Sequence, residues 1–230
     1  MRPAHDIPST LGVAALALSL ASPAIADDHP PGHELPLDVH AWRLIERESG
    51  PNNYFSVLPD PSIPGGAFIR SKYEPGFETA VFGAQVPDSA RGTARYLRWR
   101  WRAEALPTQG SECGHGFGDS AASVYVMWKR GLRWYTLKYV WSTVDPVGSV
   151  CHRVRNPFVA QDTIVAESGP PLDRWVTETI DLVGEFRRYF EKGDPTAEVP
   201  DFVGVGVMSD GDQSRSPSAA DFADFAVVVK

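Results

Sequence analysis

The fold class of this chain is decided by one stretch, Tyr96-Leu97-Arg98-Trp99-Arg100-Trp101-Arg102. Apolar and basic residues alternate along it, so the leucine and both tryptophans fall on one side of an extended strand and the arginines on the other. Successive side chains of a strand point to opposite faces of a sheet, and a period of two is typical of a half-buried strand. We therefore predict that Trp99 and Trp101 lie in the core. The three arginines face either water or an anionic ligand.

More strands of this kind follow along the chain. Residues 121–128 and 134–141 are joined by a short turn containing Gly131, which favours an antiparallel hairpin. Helical spacing of apolar residues predicts one short helix over 182–191, capped by Asp181. The pattern predicts an all-β fold, a two-sheet antiparallel β-sandwich of jelly-roll type, similar to galactose-binding or concanavalin-like domains. A closed barrel is the alternative.

Composition and charge limit the functional classes. The chain has 230 residues, of which 43% are apolar and 22% charged, enough for one substantial core. Its formal net charge of −7 argues against general nucleic-acid binding.

The N-terminus predicts export. Residues 1–26 resemble a signal peptide, with an apolar region over 11–21 and a small-x-small cleavage site at 24–26. We expect a disordered leader over 27–38, a single β-sandwich domain over 39–230, and a periplasmic or secreted protein. No later segment predicts a membrane span.

The two cysteines have two interpretations. In an exported chain, Cys113 and Cys151 predict a disulfide. Together with His115 and His152, they could instead form a zinc site, although the Cys-x-His spacing is unusual for one.

Several segments together resemble the bacterial DUF3047 family, a domain of unknown function. The similarity covers about residues 95–228 and is carried by the Trp-Arg-Trp strand, Asn156-Pro157, Trp175 and the acidic stretch 207–214, with further matches at 118–119 and 139–142. The family often has paired acids and an arginine after the Trp-Arg-Trp strand, where this chain has Gly118-Asp119 and Ser123. The resemblance implies export and a jelly-roll-like fold, but no defined activity.

The densest polar cluster is Asp210-Gly211-Asp212-Gln213-Ser214. Oxygens at alternate loop positions can converge on a hard cation, so Asp210, Asp212 and Ser214 form a candidate calcium site. Otherwise these side chains simply satisfy turn amides. No other cofactor is indicated. Carboxylates facing each other across a sugar can act as acid and base, which makes Asp119, Asp210 and Asp212 the catalytic candidates.

A second candidate site combines basic and aromatic residues. Tyr135, Leu137, Tyr139 and Trp141 share one face of a strand, and most aromatic residues of this strand should be core. The remainder could stack on sugar rings beside a basic stripe suited to an acidic polysaccharide. The predicted ligand-binding residues are Arg98, Arg100, Arg102, Lys138, Tyr139 and Trp141.

Three functions therefore remain open. The first is non-catalytic binding of a carbohydrate, such as a cell-envelope glycan; the second is a glycan hydrolase or lyase; the third is a structural envelope protein. Binding predicts exposed aromatic residues along a groove, and catalysis predicts carboxylates that meet in a deep cleft. No nucleophile elbow, phosphate loop or dinucleotide motif is present.

Overall fold

A computed structural model describes residues 32–47, 54–114 and 118–229. These residues form two α-helices, α1 (Asp88–Arg91) and α2 (Leu182–Phe190), and a 3-10 turn at Val39–Ala41. The strands, in chain order, are β1 (His33–Pro36), β2 (Arg43–Arg47), β3 (Phe55–Pro59), β4 (Ala67–Tyr73), β5 (Ala80–Gln85), β6 (Ala94–Ala105), β7 (Ala122–Arg130), β8 (Arg133–Ser142), β9 (Val150–Arg155), β10 (Val159–Ser168), β11 (Val176–Asp181), β12 (Asp201–Met208) and β13 (Ser218–Val229).

The strands form two separate sheets. The first has the order β11-β6-β13-β4-β3, with β1 added beside β13, and the second has the order β2-β5-β12-β7-β8-β10-β9. Both sheets of the described chain keep open edges, so the closed barrel is wrong and the predicted two-sheet sandwich is confirmed. The strand order of the seven-stranded sheet places the β7–β8 hairpin at its middle.

The core lies between the sheets and centres on the predicted tryptophans. Trp99 and Trp101 of β6 are both fully buried. Their ring centroids lie 5.6 Å from that of Tyr139 and 5.9 Å from that of Trp141, respectively, across the interface between the sheets. The apolar side of the alternating stretch therefore faces the second sheet, as the pattern predicts.

One pairing differs from the antiparallel expectation. Strand β10 runs parallel to β8, from Val159 opposite Trp134 to Ser168 opposite Ser142. After β8 the chain forms the edge strand β9 and then β10, which pairs antiparallel with β9. Because β10 reverses the direction of β9, it can run parallel to β8.

The leader prediction is partly wrong. His33–Pro36 form β1, which pairs antiparallel with the last strand, from His33 opposite Val229 to Pro36 opposite Ala226. A partner more than 180 residues away in sequence supplies the backbone hydrogen bonds that local composition does not predict. The predicted signal peptide and residues 27–31 lie outside the described residues.

The predicted helix is confirmed as α2. The Asp181 carboxylate accepts hydrogen bonds from the amides of Val183 and Gly184, both at 3.0 Å, and so satisfies two free donors of the first turn. The buried Phe186 of α2 packs on Trp128. Within the described residues, no helix combines the length and apolarity that crossing a membrane requires.

Candidate ligand-binding site

A groove lies on the outer face of the seven-stranded sheet, on the side opposite the core. Because Leu137 and Tyr139 of β8 point into the core, the intervening Lys138 points outward. The strand register places Gly206, Tyr125, Lys138 and Thr163 side by side across four strands. The groove encloses about 410 Å³ and is lined by Thr79, Ala80, Val81, Glu112, Gly118, Tyr125, Lys138, Val154, Gln161, Thr163, Met208, Asp210 and Gln213.

An ion pair between Lys138 and Glu112 lies in this groove. Lys138 Nζ donates a short hydrogen bond to Glu112 Oε1, and the two residues are only 6% and 3% exposed. Burial alone would lower the pKa of the lysine, but the charge of Glu112 and its hydrogen bond outweigh this, so the pKa of Lys138 is raised. The lysine is therefore a fixed cation.

A disulfide holds the loop that carries Glu112. Cys113 is bonded to Cys151 of β9, which confirms the predicted bridge. The zinc alternative is wrong, because both sulfurs are consumed; His115 and the side chain of His152 lie outside the described residues. The buried Asp145 also anchors the loop, since it accepts hydrogen bonds from Ser111 Oγ at 2.6 Å and from the amide of Cys113 at 3.2 Å.

Three carboxylates meet at one end of the groove. One oxygen atom each from Asp119, Asp210 and Asp212 lies within 4.8 Å of the others. The amide of Asp210 donates to the carbonyl of Ser120 at 3.0 Å, which joins the two loops that carry the acids. Glycine is required at position 211, because a Cβ there would lie 2.0 Å from the carbonyl oxygen of Ser216.

The three acids have different roles. Asp119 is fully buried and accepts hydrogen bonds from the amides of Gln213 at 3.2 Å and Ser214 at 2.7 Å, so it organises the loop. Burial raises the pKa of Asp210 to about 7, although nearby Lys138 opposes this. The pKa of the more exposed Asp212 is also raised, first by partial burial and then by the charge of Asp119.

Two of the predicted calcium ligands, Asp210 and Asp212, are adjacent to Asp119. The third, Ser214, has its hydroxyl hydrogen-bonded with that of Ser216 at 2.7 Å. Ser214 therefore helps to close the loop.

Thr163 lines the groove and carries a buried hydroxyl without a described partner. Its side chain is 1% exposed, and among the described residues its Oγ1 has no partner. Gln161 lies two residues earlier on the same strand and lines the same groove, while Gln213 Oε1 accepts from the amide of Gly118 at 2.7 Å. Donors and acceptors thus converge on the groove from several segments.

Two predicted ligand-binding aromatic residues belong to the core instead. Tyr139 and Trp141 are 5% and 1% exposed, and they pack against the tryptophans of β6. Their polar atoms are satisfied internally, since Tyr139 OH donates to Glu185 at 2.8 Å and Trp141 Nε1 donates to the Gly169 carbonyl at 2.9 Å. Neither ring offers a face to a sugar. Among the described lining residues, the aromatic one is Tyr125.

The predicted basic stripe is divided between two surfaces. The arginines belong to β6 and face outward from the six-stranded sheet, whereas Lys138 faces outward from the opposite sheet. Arg102 donates to the buried Asp221 at 2.7 and 2.9 Å, and Arg98 donates to Glu34 at 3.0 Å. The guanidinium carbon of Arg100 lies 5.3 Å from the ring centroid of Trp175. These arginines do not form one site with Lys138.

Sequence reasoning missed most of the groove. Gln161 and Thr163 alternate with the buried Ala160 and Ile164, and this period of two could have placed both on the outer face. No local signal identifies Glu112 as the partner of Lys138, because the two are 26 residues apart and meet only in the folded chain. The other missed lining residues include Tyr125 and Gln213.

Comparison with known proteins gives one family match. Residues 88–226 match the family described as "Protein of unknown function (DUF3047)". No curated protein matches the sequence.

Solved structures show weak overall similarity to this chain. A family 11 carbohydrate-binding module from a Clostridium thermocellum cellulase is 10% identical, with 87% of this chain and 97% of that chain covered and a TM-score of 0.46. The catalytic domain of Humicola grisea Cel12A is 15% identical, with 84% and 97% covered and a TM-score of 0.41. The xyloglucanase domain of NopAA from Sinorhizobium fredii is 14% identical, with 88% and 97% covered and a TM-score of 0.40. These scores lie below 0.5, so function has to be inferred from this chain's own site.

Proposed function

The chain belongs to the DUF3047 family, whose function is unknown, and we propose that it binds a glycan in the groove of its seven-stranded sheet without cleaving it. The observation that carries the proposal is a groove lined by amide, carboxylate and phenol groups, in which the lining residue Thr163 has a hydroxyl without a described partner. Buried polar groups normally have partners, so an unused one in a groove favours a ligand that supplies them. Sugar hydroxyls both donate and accept hydrogen bonds.

The charge of the groove favours a neutral or amine-bearing glycan. Glu112 and Asp210 line it, with Asp119 and Asp212 close by, whereas Lys138 is the one basic residue among its described lining residues. The lysine is already paired with Glu112. A carboxylated or sulfated glycan would meet like charges here. This disfavours the acidic polysaccharide that the predicted basic stripe suggests.

Glycan hydrolysis is the second candidate, and the raised pKa of Asp210 favours it. A carboxyl group with a pKa of about 7 can donate a proton near neutral pH. The partner it needs is less well placed: Asp119 is occupied by two loop amides, and Asp212 belongs to the same loop as Asp210. Glycosidases need carboxyl groups on both sides of the scissile bond, so binding without cleavage fits this arrangement better.

The two candidates are distinguished by testing binding and turnover together. The mature protein is titrated calorimetrically with neutral oligosaccharides (cello-, xylo- and chito-oligosaccharides), a deacetylated chito-oligosaccharide and an oligogalacturonide. Mass spectrometry of the same mixtures detects cleavage products. We expect binding of a neutral or amine-bearing sugar with no product. Product that disappears in Asp210→Asn supports the hydrolase, and binding of none of these sugars supports a structural role.

A matched pair of variants tests the site itself. Thr163→Val removes the unused groove hydroxyl while keeping the shape of the side chain, and we expect it to lower glycan affinity about tenfold, roughly the value of one hydrogen bond. Ser71→Ala removes another buried hydroxyl without a described partner, from β4 of the other sheet, and should leave affinity unchanged. Equal affinities of Thr163→Val and the wild type would contradict the assignment of this groove.

Export to the periplasm or the medium is part of the proposal. The disulfide supports it, because such bonds persist in oxidising compartments. Fractionation of cells that express the whole chain, with mass spectrometry of the mature N-terminus, tests this. A cytosolic protein that retains residues 1–26 would contradict it.

Calcium binding by the acid cluster stays a prediction. Three carboxylates within 4.8 Å of one another offer hard oxygen ligands, and a cation would relieve their mutual repulsion. If the melting temperature is the same in calcium and in chelator, the prediction is wrong.

A further inference from the structure

We infer that the ligand is an extended oligosaccharide whose far end stacks on Trp134, in a second subsite on the same face of the sheet. This inference deepens the proposed function and rests on it. The subsite is a cavity of about 260 Å³, whose lining includes Ile45, Met127, Lys129 and Trp134. It is separate from the acid cluster at the other end of the groove.

The second cavity lies along the same strands as the groove. On β7, Tyr125 lines the groove, and Met127 and Lys129 line the second cavity; on β8, Lys138 lines the first and Trp134 the second. In each strand these positions differ by an even number of residues, so they point to one face. Lys138 and Trp134 are four residues apart, which corresponds to about 13 Å along the strand. One ligand chain of several sugar rings can therefore reach both cavities.

The chemistry of the two cavities is complementary along such a chain. The groove is lined mainly by hydrogen-bonding groups. The second cavity offers the Trp134 indole beside the side chains of Ile45 and Met127, and its polar lining residues are Gln85, Arg91 and Lys129. Pyranose rings carry hydroxyl groups at their edges and apolar C–H groups on their faces, and an indole buries such a face favourably.

Trp134 differs from the other tryptophans of the hairpin in its exposure. Trp128 and Trp141 are 0% and 1% exposed, but Trp134 is 40% exposed. Its backbone is held in place, because its amide donates to the Phe158 carbonyl at 2.8 Å, and Lys129 Nζ lies 4.7 Å from its ring centroid. An indole with an accessible surface, carried by a strand of the sheet, can bury the apolar face of a sugar ring.

The test measures how the affinity depends on ligand length in the presence and in the absence of the Trp134 indole. A disaccharide and a hexasaccharide of the best-binding sugar are titrated into the wild type, Trp134→Ala and a control. We expect the wild type to prefer the hexasaccharide. Trp134→Ala should lose about tenfold in affinity for the hexasaccharide and keep its affinity for the disaccharide. The control is Trp175→Ala, which removes a partly exposed tryptophan from the outer face of the other sheet and should change neither affinity. Trp134→Phe should restore part of the loss, and circular dichroism checks that each variant folds.

Three results would overturn the inference, and they separate it from the proposed function. If Trp134→Ala keeps the wild-type preference for the hexasaccharide, the second subsite is wrong while glycan binding stands. If no oligosaccharide binds the wild type, both are wrong. If sedimentation shows a wild-type dimer that Trp134→Ala abolishes, the cavity serves a second copy of the chain instead.

Discussion

Glu112 and Lys138 form an ion pair that is buried in the groove although one lies in a loop and the other in the centre of a sheet. Each residue compensates the desolvation of the other. The pair therefore links the stability of the loop to the shape of the proposed binding site.

Removing one partner of this pair should cost more than removing both. Glu112→Gln leaves the Lys138 ammonium buried without its counter-charge, and we expect a loss of about 3–5 kcal/mol in the free energy of unfolding, measured by urea denaturation. The double variant Glu112→Gln with Lys138→Met should be more stable than Glu112→Gln alone. As a control, Glu191→Gln removes the more exposed pair with Arg130 and should cost less than about 1 kcal/mol. If Glu112→Gln and Glu191→Gln lower the free energy of unfolding equally, Lys138 is solvated.

Breaking the disulfide should weaken both stability and binding. The bridge closes a separation of 38 residues, and its loss typically costs about 2–5 kcal/mol. The variant Cys113→Ser with Cys151→Ser should therefore melt at a lower temperature and bind glycan less tightly, because Glu112 lies beside the bridge. A reductant should destabilise the wild type and leave the double variant unchanged. Unchanged glycan affinity in the double variant would show that the loop holds its place without the bridge.

The pKa of Asp210 predicts that stability falls as pH rises. Its pKa is 3.8 in the unfolded chain and about 7 in the folded one, so between these values the folded state holds a proton that the unfolded state has lost. Stability then decreases from about pH 4 to pH 7, by roughly 2–4 kcal/mol from this group. Asp210→Asn should remove that part of the slope, measured by urea denaturation at each pH.

The exposed Asp201 provides the control for this pH series. Asp201→Asn removes one exposed carboxylate, and its urea denaturation at the same pH values is the reference with which the slope of Asp210→Asn is compared. If the slope of Asp210→Asn equals that of the wild type, the folded Asp210 is an ordinary carboxylate.

The arginines of β6 should matter for stability and not for glycan binding. Asp221 is fully buried and accepts hydrogen bonds from Arg70 and Arg102, so Asp221→Asn should cost about 3 kcal/mol in the free energy of unfolding. Glu104→Gln affects the same arginines from a more exposed position and should cost less than about 1 kcal/mol. Neither variant should change glycan affinity. A clear loss of glycan affinity in Asp221→Asn or Glu104→Gln would indicate that the binding site lies on the outer face of the six-stranded sheet.

Local pattern was sufficient for much of the fold. Alternation identified the strand around Trp99 and the face that it buries, and the short turn at Gly131 identified the β7–β8 hairpin. The cap at Asp181 and the start of α2 were also predictable, because these features depend on neighbours within a few residues. The pairing of β1 with β13 was not predictable in this way.

The candidate site was predictable in its acids and in Lys138, which lines the groove. Asp210 and Asp212 stood out as a dense polar cluster, and the fold brings both close to Asp119. The assignment of Tyr139 as a ligand residue was wrong, although its neighbours already indicated a core-facing side of β8.

The sequence by itself determined which side chains of each strand share a face, because a period of two is a local property of extended backbone. Only the tertiary structure decided which sheet each strand joins. That choice placed the arginines of β6 and Lys138 of β8 on opposite outer surfaces, and it brought Glu112 to Lys138 and Asp119 to Asp210. Such contacts depend on strand order and register, which are set by packing between distant segments and leave no signal at the residues themselves.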